Sequence, residues 1–199
     1  MILLTTAPND QDLEPQFGSL AIPSNIPYGD VNFIGKWDAD ETMWVAGERK
    51  KLGDLLACIE DGRHIAQIQN ARSAGIEHLF LILEAKYRKD KQTGLVQELR
   101  GNRYKTHEAH MEYSRLKSYL LQIVWYAGVK VYETNNVEET ANVIKEIYFM
   151  FQQAPDEHSS LKKIYKSVKL PSPSVLLSRP PALRRRVAVE LPGVGFELS

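Results

Sequence analysis

The unbroken apolar run Leu79-Phe80-Leu81-Ile82-Leu83 constrains the fold more than any other segment. Five consecutive apolar residues, flanked by polar ones, describe a strand covered on both faces rather than one side of a surface sheet. Such a strand needs a layer above and a layer below, and the neighbouring segments supply them. Upstream, Leu52, Leu55, Leu56 and Ile59 recur at i, i+3, i+4 and i+7, one apolar helical stripe. Gly62 interrupts it, and Ile65, Ile68 and Ala71 continue a second helical segment to Gly75, where a C-cap is expected. Downstream, Leu116, Leu120, Ile123, Val124 and Ala127 share one face of a helix over residues 111–127 that Gly128 ends. Val129 to Tyr132 reads as a short strand. Asn135 or Asn136 then caps a helix with Glu138 and Glu139 in its first turn and Val137, Ala141, Ile144, Tyr148 and Phe151 toward the core. This alternation predicts an α/β sandwich.

The first fifty residues read as strands joined by loop. Ile2 to Thr6 is a short buried strand closed by Ala7-Pro8-Asn9-Asp10, and Pro15, Pro23 and Pro27 break the following stretch. A second strand starts near Asp30 with Val31-Asn32-Phe33-Ile34, and Thr42 to Ala46 returns as a third that carries Glu48 at its end. Residues 86–107 are basic, glycine-punctuated and non-periodic, which predicts an exposed loop. The expected organisation is a domain over residues 1–153, a linker over 154–181 with a short basic helix, and a segment over 182–199. In that last segment a helix runs into the glycine hairpin Leu191-Pro192-Gly193-Val194-Gly195.

Twenty-five basic and 25 acidic residues cancel, so any phosphate contact must come from local clusters. Three such clusters stand out: Lys86 to Lys91, Arg100 to Lys105, and Arg184 to Arg186. The single cysteine, Cys58, excludes an intramolecular disulfide and a cysteine-based zinc cluster. No run is long enough to span a bilayer and Met1 to Leu4 lacks a basic n-region. The expectation is an intracellular protein without membrane contact, cytoplasmic in a prokaryote or phage and nuclear in a eukaryote. A G-x-x-x-x-G-K-[ST] phosphate loop is absent from the sequence. His64, His78, His107 and His110 have no convergent ligands and are expected to be exposed. Trp37, Trp44 and Trp125 are expected in core or hairpin packing.

Chemistry concentrates on Asp30, at the start of one strand, and on Glu48 and Lys50, at the end of the next. Two carboxylates offer hard oxygen ligands to Mg²⁺ or Mn²⁺. Side chains two apart on a strand point to one side, so Lys50 stands beside Glu48 while Arg49 faces away. That set suits phosphodiester hydrolysis, in which a metal polarises the phosphoryl oxygen and a lysine positions water or offsets transition-state charge.

Gly29-Asp30 followed by Glu48-Arg49-Lys50-Lys51-Leu52-Gly53-Asp54 resembles the G-D-x(n)-E-R-K-x-x-x-D signature of the XPF nuclease family. Asp61-Gly62-Arg63, Gln67, Arg72, Gly75 and the strand ending in Glu84 extend the resemblance, which covers about residues 28 to 152. It implies a restriction-endonuclease-like three-layer α/β core, a mixed central sheet flanked by helices, here with a C-terminal extension. It further implies that Asp30 and Glu48 bind the metal, that Lys50 assists catalysis, and that Arg49 and Asp54 complete the network, with Asp54 holding Arg49. Arg63 and Arg72 become candidates for DNA contact, as do Arg103 and Lys105 in the basic loop.

Three departures accompany the resemblance. Family members carry an acidic residue at the end of the first strand, where this chain has Thr5-Thr6-Ala7-Pro8; either Asp10 or Asp12 substitutes from a shifted position, or the site has one ligand fewer and binds metal less tightly. The interval from Asp30 to Glu48 is long, implying an extended hairpin. The C-terminal glycine hairpin resembles half of a tandem helix-hairpin-helix module. The function implied is a structure-specific endonuclease acting on branched or flapped duplex DNA in repair or recombination, as a homodimer or heterodimer, in a phage or prokaryotic version. The alternatives are a weakly active or inactive nuclease-like DNA-binding scaffold or partner subunit, and a sequence-specific restriction-type nuclease.

Overall fold

The computed structural model describes residues 1–37 and 41–160, of which Met1–Ala154 form one compact unit. In chain order the elements are β1 Ile2–Thr5, β2 Ala21–Ser24, β3 Val31–Lys36, β4 Thr42–Lys51, α1 Leu52–Asp61, α2 Arg63–Ser73 and β5 His78–Glu84. There follow β6 Tyr87–Lys89, β7 Val96–Arg100, β8 Arg103–Thr106, α3 Tyr113–Ala127, β9 Lys130–Thr134 and α4 Val137–Phe151. Short 3-10 turns, among them Pro8–Asp10 and Glu14–Gln16, fill the stretch between β1 and β2.

The central sheet is mixed, in the order β2-β1-β3-β4-β5-β9. β3 runs antiparallel to both β1 and β4, whereas β4, β5 and β9 are parallel. The apolar run in β5 is divided by its own alternation. Leu79, Leu81 and Leu83 join Leu52, Leu55, Leu56, Leu116, Leu120 and Ile123 of α1 and α3 in one core. Phe80 and Ile82 join Val31, Phe33, Val45, Ile144 and Ile147 in a second core beneath α4. Each fully buried leucine of the first core contributes roughly 1.5–3 kcal/mol. The three-layer α/β fold expected from the sequence is therefore present, with Gly62 and Gly128 ending α1 and α3 and Asn136 accepting from the Glu139 N–H as the α4 cap.

Two elements differ from the sequence expectation. β4 does not stop near its last apolar residue but continues through Gly47 to Lys51, because β5 pairs with it in register from Val45↔His78 to Lys51↔Glu84. The backbone ladder holds charged residues in strand geometry that side-chain hydropathy alone does not announce. The second difference is residues 86–107, which form a three-stranded antiparallel sheet, β6-β7-β8, instead of a loop. Its two glycines mark hairpin turns, and its anchor is Val96, buried with Met111 in the first core. Charged residues at most other positions mask the period of two.

Several aromatic and histidine placements also differ. Trp125 and Trp44 are exposed, whereas Trp37 packs against the second core as expected, stacked on the His78 ring with centroids 6.2 Å apart. His64 and His107 are buried rather than exposed. No helix among the described residues is long and apolar enough to cross a membrane. The basic helix, the proline-rich linker and the glycine hairpin expected beyond Ser160 lie outside the described residues.

Candidate active site

The site is assembled where β4 leaves the sheet for α1. The Thr5 N–H donates to the Asp30 carbonyl, and the Asp30 N–H donates to the Gly47 carbonyl, both at 2.8 Å. This seam requires Gly29: its φ is +70°, and a Cβ there would stand 2.6 Å from the Gly47 carbonyl oxygen. Gly47 is constrained as well, since a Cβ would strike the Phe80 ring at 2.1 Å. Two glycines thus let the chain approach closely enough for the Arg49 N–H to donate to Asp30 Oδ2 at 2.8 Å. The carboxylate of Asp30 is fixed by backbone, not by a mobile side chain.

Alternation along β4 then sorts its charged residues. Glu48 and Lys50 point toward α1 and α2, where Lys50 Nζ donates to Glu48 Oε1 and Gln67 Nε2 lies 3.4 Å from the same oxygen. They line an open cleft of about 750 Å³ together with Asp10, Asp30, Asp54 and Arg63. Asp54 sits in the first turn of α1, and Lys51 occupies the N-cap position. On the far side of Glu48 a smaller cavity is lined by Tyr28, Gly47, Phe80, His64 and Gln67.

Arg49 points the opposite way, toward α4, with its side chain 2% exposed. It donates to both carboxylate oxygens of Asp12 (2.6 and 3.0 Å), to both of Glu84 (3.0 and 2.8 Å) and to Asp10 Oδ1 (3.3 Å). Glu84 in turn accepts from Thr140 Oγ1 at 2.7 Å, and Thr140 lies 2.7 Å from Thr134 Oγ1. The expectation that Asp54 holds Arg49 is corrected here. Asp54 follows β4 on the cleft side, and the guanidinium is engaged by acids on the other face of the sheet.

The electrostatics follow from this placement. Burial, then the charges of Glu48 and Asp10, push the Asp30 carboxyl up to about 7. Burial also raises Asp10, outweighing the attraction of Arg49. Hydrogen bonds from Arg49 hold Asp12 below its usual range. Burial disfavours the Lys50 ammonium, but Glu48 and Asp30 outweigh it and keep its pKa above the ordinary value. His64 is driven down to about 4 by burial and by the charge of Lys50. The cleft therefore sets Asp10, Asp30, Glu48 and Asp54 among Lys50, Lys51 and Arg63, and the raised Asp30 carboxyl marks the point where a bound cation would relieve burial and carboxylate repulsion.

Among the described residues no three His, Cys, Asp or Glu side chains converge as a ready-made metal cage. The donor set of Asp30 and Glu48, with Asp10 alongside, still fits a hydrated Mg²⁺ or Mn²⁺ that takes its other ligands from water and phosphate. The DNA-contact candidates separate. Arg63 is exposed at the cleft rim, bound to Asp61. Arg72 is a correction: its guanidinium donates to the carbonyls of Ile76, Glu77, Ala127 and Gly128, so it ties α2 to the end of α3. Arg103 and Lys105 are exposed on β8, outside the cleft. Sequence reasoning missed Glu84 and Thr140 as members of the Arg49 network. It also expected His64 to be exposed, whereas the ring is buried with Nδ1 2.6 Å from the Tyr119 hydroxyl.

The family described as ERCC4 domain matches residues 14–147. No curated protein matches the chain. Among solved structures, XPF from Aeropyrum pernix is similar with a TM-score of 0.53 and 16% identity, covering 98% of this chain and 75% of that one. A complex of XPF from Aeropyrum pernix with DNA is similar with a TM-score of 0.50 and 17% identity, over the same shares.

Proposed function

The chain belongs to the ERCC4 domain family, and on that premise we propose that it is a metal-dependent endonuclease cutting branched or flapped duplex DNA. The observation that carries the proposal is Asp30, locked by the Arg49 N–H at 2.8 Å beside Glu48 and Lys50 in one open cleft. The similarity to an XPF structure in complex with DNA supports the choice of polymer.

Asp30 and Glu48 would hold the Mg²⁺ or Mn²⁺, which supplies Lewis-acid polarisation of the phosphoryl oxygen and a bound water of lowered pKa. Asp10, delivered by the 3-10 turn after β1, adds the further negative charge expected from the first strand. Lys50 is the catalytic cation. Its Nζ is anchored by Glu48, and it orients the attacking water and offsets charge as the phosphate becomes pentavalent. Asp54 lines the α1 side of the cleft, and Arg63 at its rim contacts the DNA backbone. Arg49 is a positioning residue: its guanidinium ties Asp10 and Asp12 to Glu84. Arg103 and Lys105 supply phosphate contacts away from the cleft.

The second reading is a weakly active DNA-binding scaffold, favoured by the lack of a three-ligand cage among the described residues. Flapped and linear duplexes incubated with Mg²⁺, with Mn²⁺ or with chelator separate the two. The nuclease reading expects cleavage near the branch, abolished by chelator and reduced at least ~10²-fold by Glu48→Ala and by Lys50→Ala. Binding without metal-dependent cleavage would establish the scaffold instead.

A further inference from the structure

The small sheet β6-β7-β8 leaves the main sheet at the end of β5, where Glu84 pairs with Lys51, the last residue of β4. Its pairing puts Arg88 opposite Gln97 and Leu99 opposite Tyr104, so these four side chains share one face. On that face the Arg88 guanidinium stacks over the Tyr104 ring at 4.0 Å, oriented by a 2.9 Å hydrogen bond to Gln97. Tyr104 borders a hollow of about 230 Å³ with Lys86, Tyr87 and Thr134. An adjoining hollow of about 320 Å³ contains Lys86, Leu99 and Lys51, and Lys51 also lines the catalytic cleft. Lys51, common to the cleft and the second hollow, and Lys86, common to both hollows, thus mark a line of cations from the cleft toward the Tyr104 ring.

Carboxylates along this track have cations of their own. Glu84 is held by Arg49, Glu98 by Arg100 and Glu133 by Lys117. The field of Lys86 reaches Glu139, which is itself tied to Asn135. Lys51, Lys86 and Arg88 carry the positive charge that faces outward. With Arg88 on one face of the ring and the hollow beside it, an unstacked base entering the hollow can stack against the Tyr104–Arg88 pair with its phosphates near Lys86 and Lys51, whereas bases inside a duplex present no free face to it.

We propose that this face of the small sheet, Arg88 on Tyr104 beside Lys86, binds the unpaired strand of a branched DNA as it leaves the cleft. The inference rests on the nuclease reading for its substrate, and it assigns recognition of the branch to the small sheet rather than to the carboxylates.

The test is anisotropy titration of labelled single-stranded, plain duplex and flapped duplex oligonucleotides with chelator present, so that binding is read without cleavage. Wild-type protein should prefer the flapped duplex, and Tyr104→Ala should reduce that preference about tenfold, the loss of one stacked base. Tyr104→Phe, which keeps the ring, should restore it, and this separates stacking from loss of folding. Lys86→Gln should lower the salt slope of single-strand binding by about 0.7. An unchanged preference in Tyr104→Ala, equal weakening on all three DNAs, or no rescue by phenylalanine would overturn the proposal. Absence of metal-dependent cleavage by the wild type, with the Tyr104-dependent preference intact, would remove the nuclease reading and leave this surface standing.

Discussion

Glu48 and Arg49 are adjacent in the chain, yet they occupy two different environments. On the α1–α2 side of β4, Glu48 and Lys50 open into a solvent cleft with Asp10, Asp30 and Asp54. On the α4 side, Arg49 is buried and fully engaged by Asp10, Asp12 and Glu84. One face crowds Glu48 and Asp10 around Asp30 closely enough to raise its carboxyl, the other closes its ion pairs through bidentate hydrogen bonds. The difference teaches that a run of charged residues on a strand divides by alternation into chemistry and architecture. Asp10 touches both, since it lines the cleft while bonded to Arg49. The architectural face thereby sets the position of an acid on the chemical face.

The largest expected effect comes from breaking the architectural side. Arg49→Met should cost about 3–5 kcal/mol in urea unfolding, because Glu84 and Asp10 lose the partner that compensates their burial. Arg49→Lys should recover little, since one ammonium cannot replace two bidentate pairs. A variant that unfolds like wild type would show that Arg49 is not a strut.

The next effect concerns His64, which lines the smaller cavity on the far side of Glu48. Its imidazole is neutral in the folded protein down to about pH 4, whereas the unfolded chain takes up a proton near pH 6.5. Protons therefore favour the unfolded state across that interval, and this contribution to stability falls by about 3 kcal/mol as pH drops from 6.5 to 4. His64→Gln should flatten the acid limb of stability measured in urea by that amount. An unaltered acid limb would show that His64 titrates as an exposed histidine. The smallest effect lies at the end of the Arg49 network: Thr140→Val should cost about 1–2 kcal/mol by leaving Glu84 short of a donor. No loss there would confine the network to Arg49 and its acids.

Much of this division was legible in the sequence. The Leu79 to Leu83 run and the stripes at Leu52, Leu116 and Ile144 announce the layers because burial follows period directly. Glu48 and Lys50 could be paired, and Arg49 turned away, from the period of two alone. The destination of Arg49 was not legible, since Asp12 and Glu84 approach from 37 and 35 residues away and carry no local signal. Asp10 was one of two candidates for the first-strand acid, and only the 3-10 turn places it in the cleft while Asp12 closes on Arg49. The small sheet escaped because its charged positions resemble a loop and its apolar content comes down to a few residues such as Val96 and Leu99. Arg72 read as a DNA contact because exposure of a cation cannot be told from carbonyl capping without the fold.

The central claim is that the Glu48 face of β4 serves chemistry rather than stability. Glu48→Gln tests it most directly when the metal-dependent cleavage rate on a flapped duplex is measured beside the urea midpoint. The prediction is an unfolding free energy within ~1 kcal/mol of wild type, as removing one charge from a carboxylate cluster relieves repulsion on Asp30, with cleavage at least ~10²-fold slower. A cleavage rate within twofold of wild type, or a stability loss matching that of Arg49→Met, would contradict it.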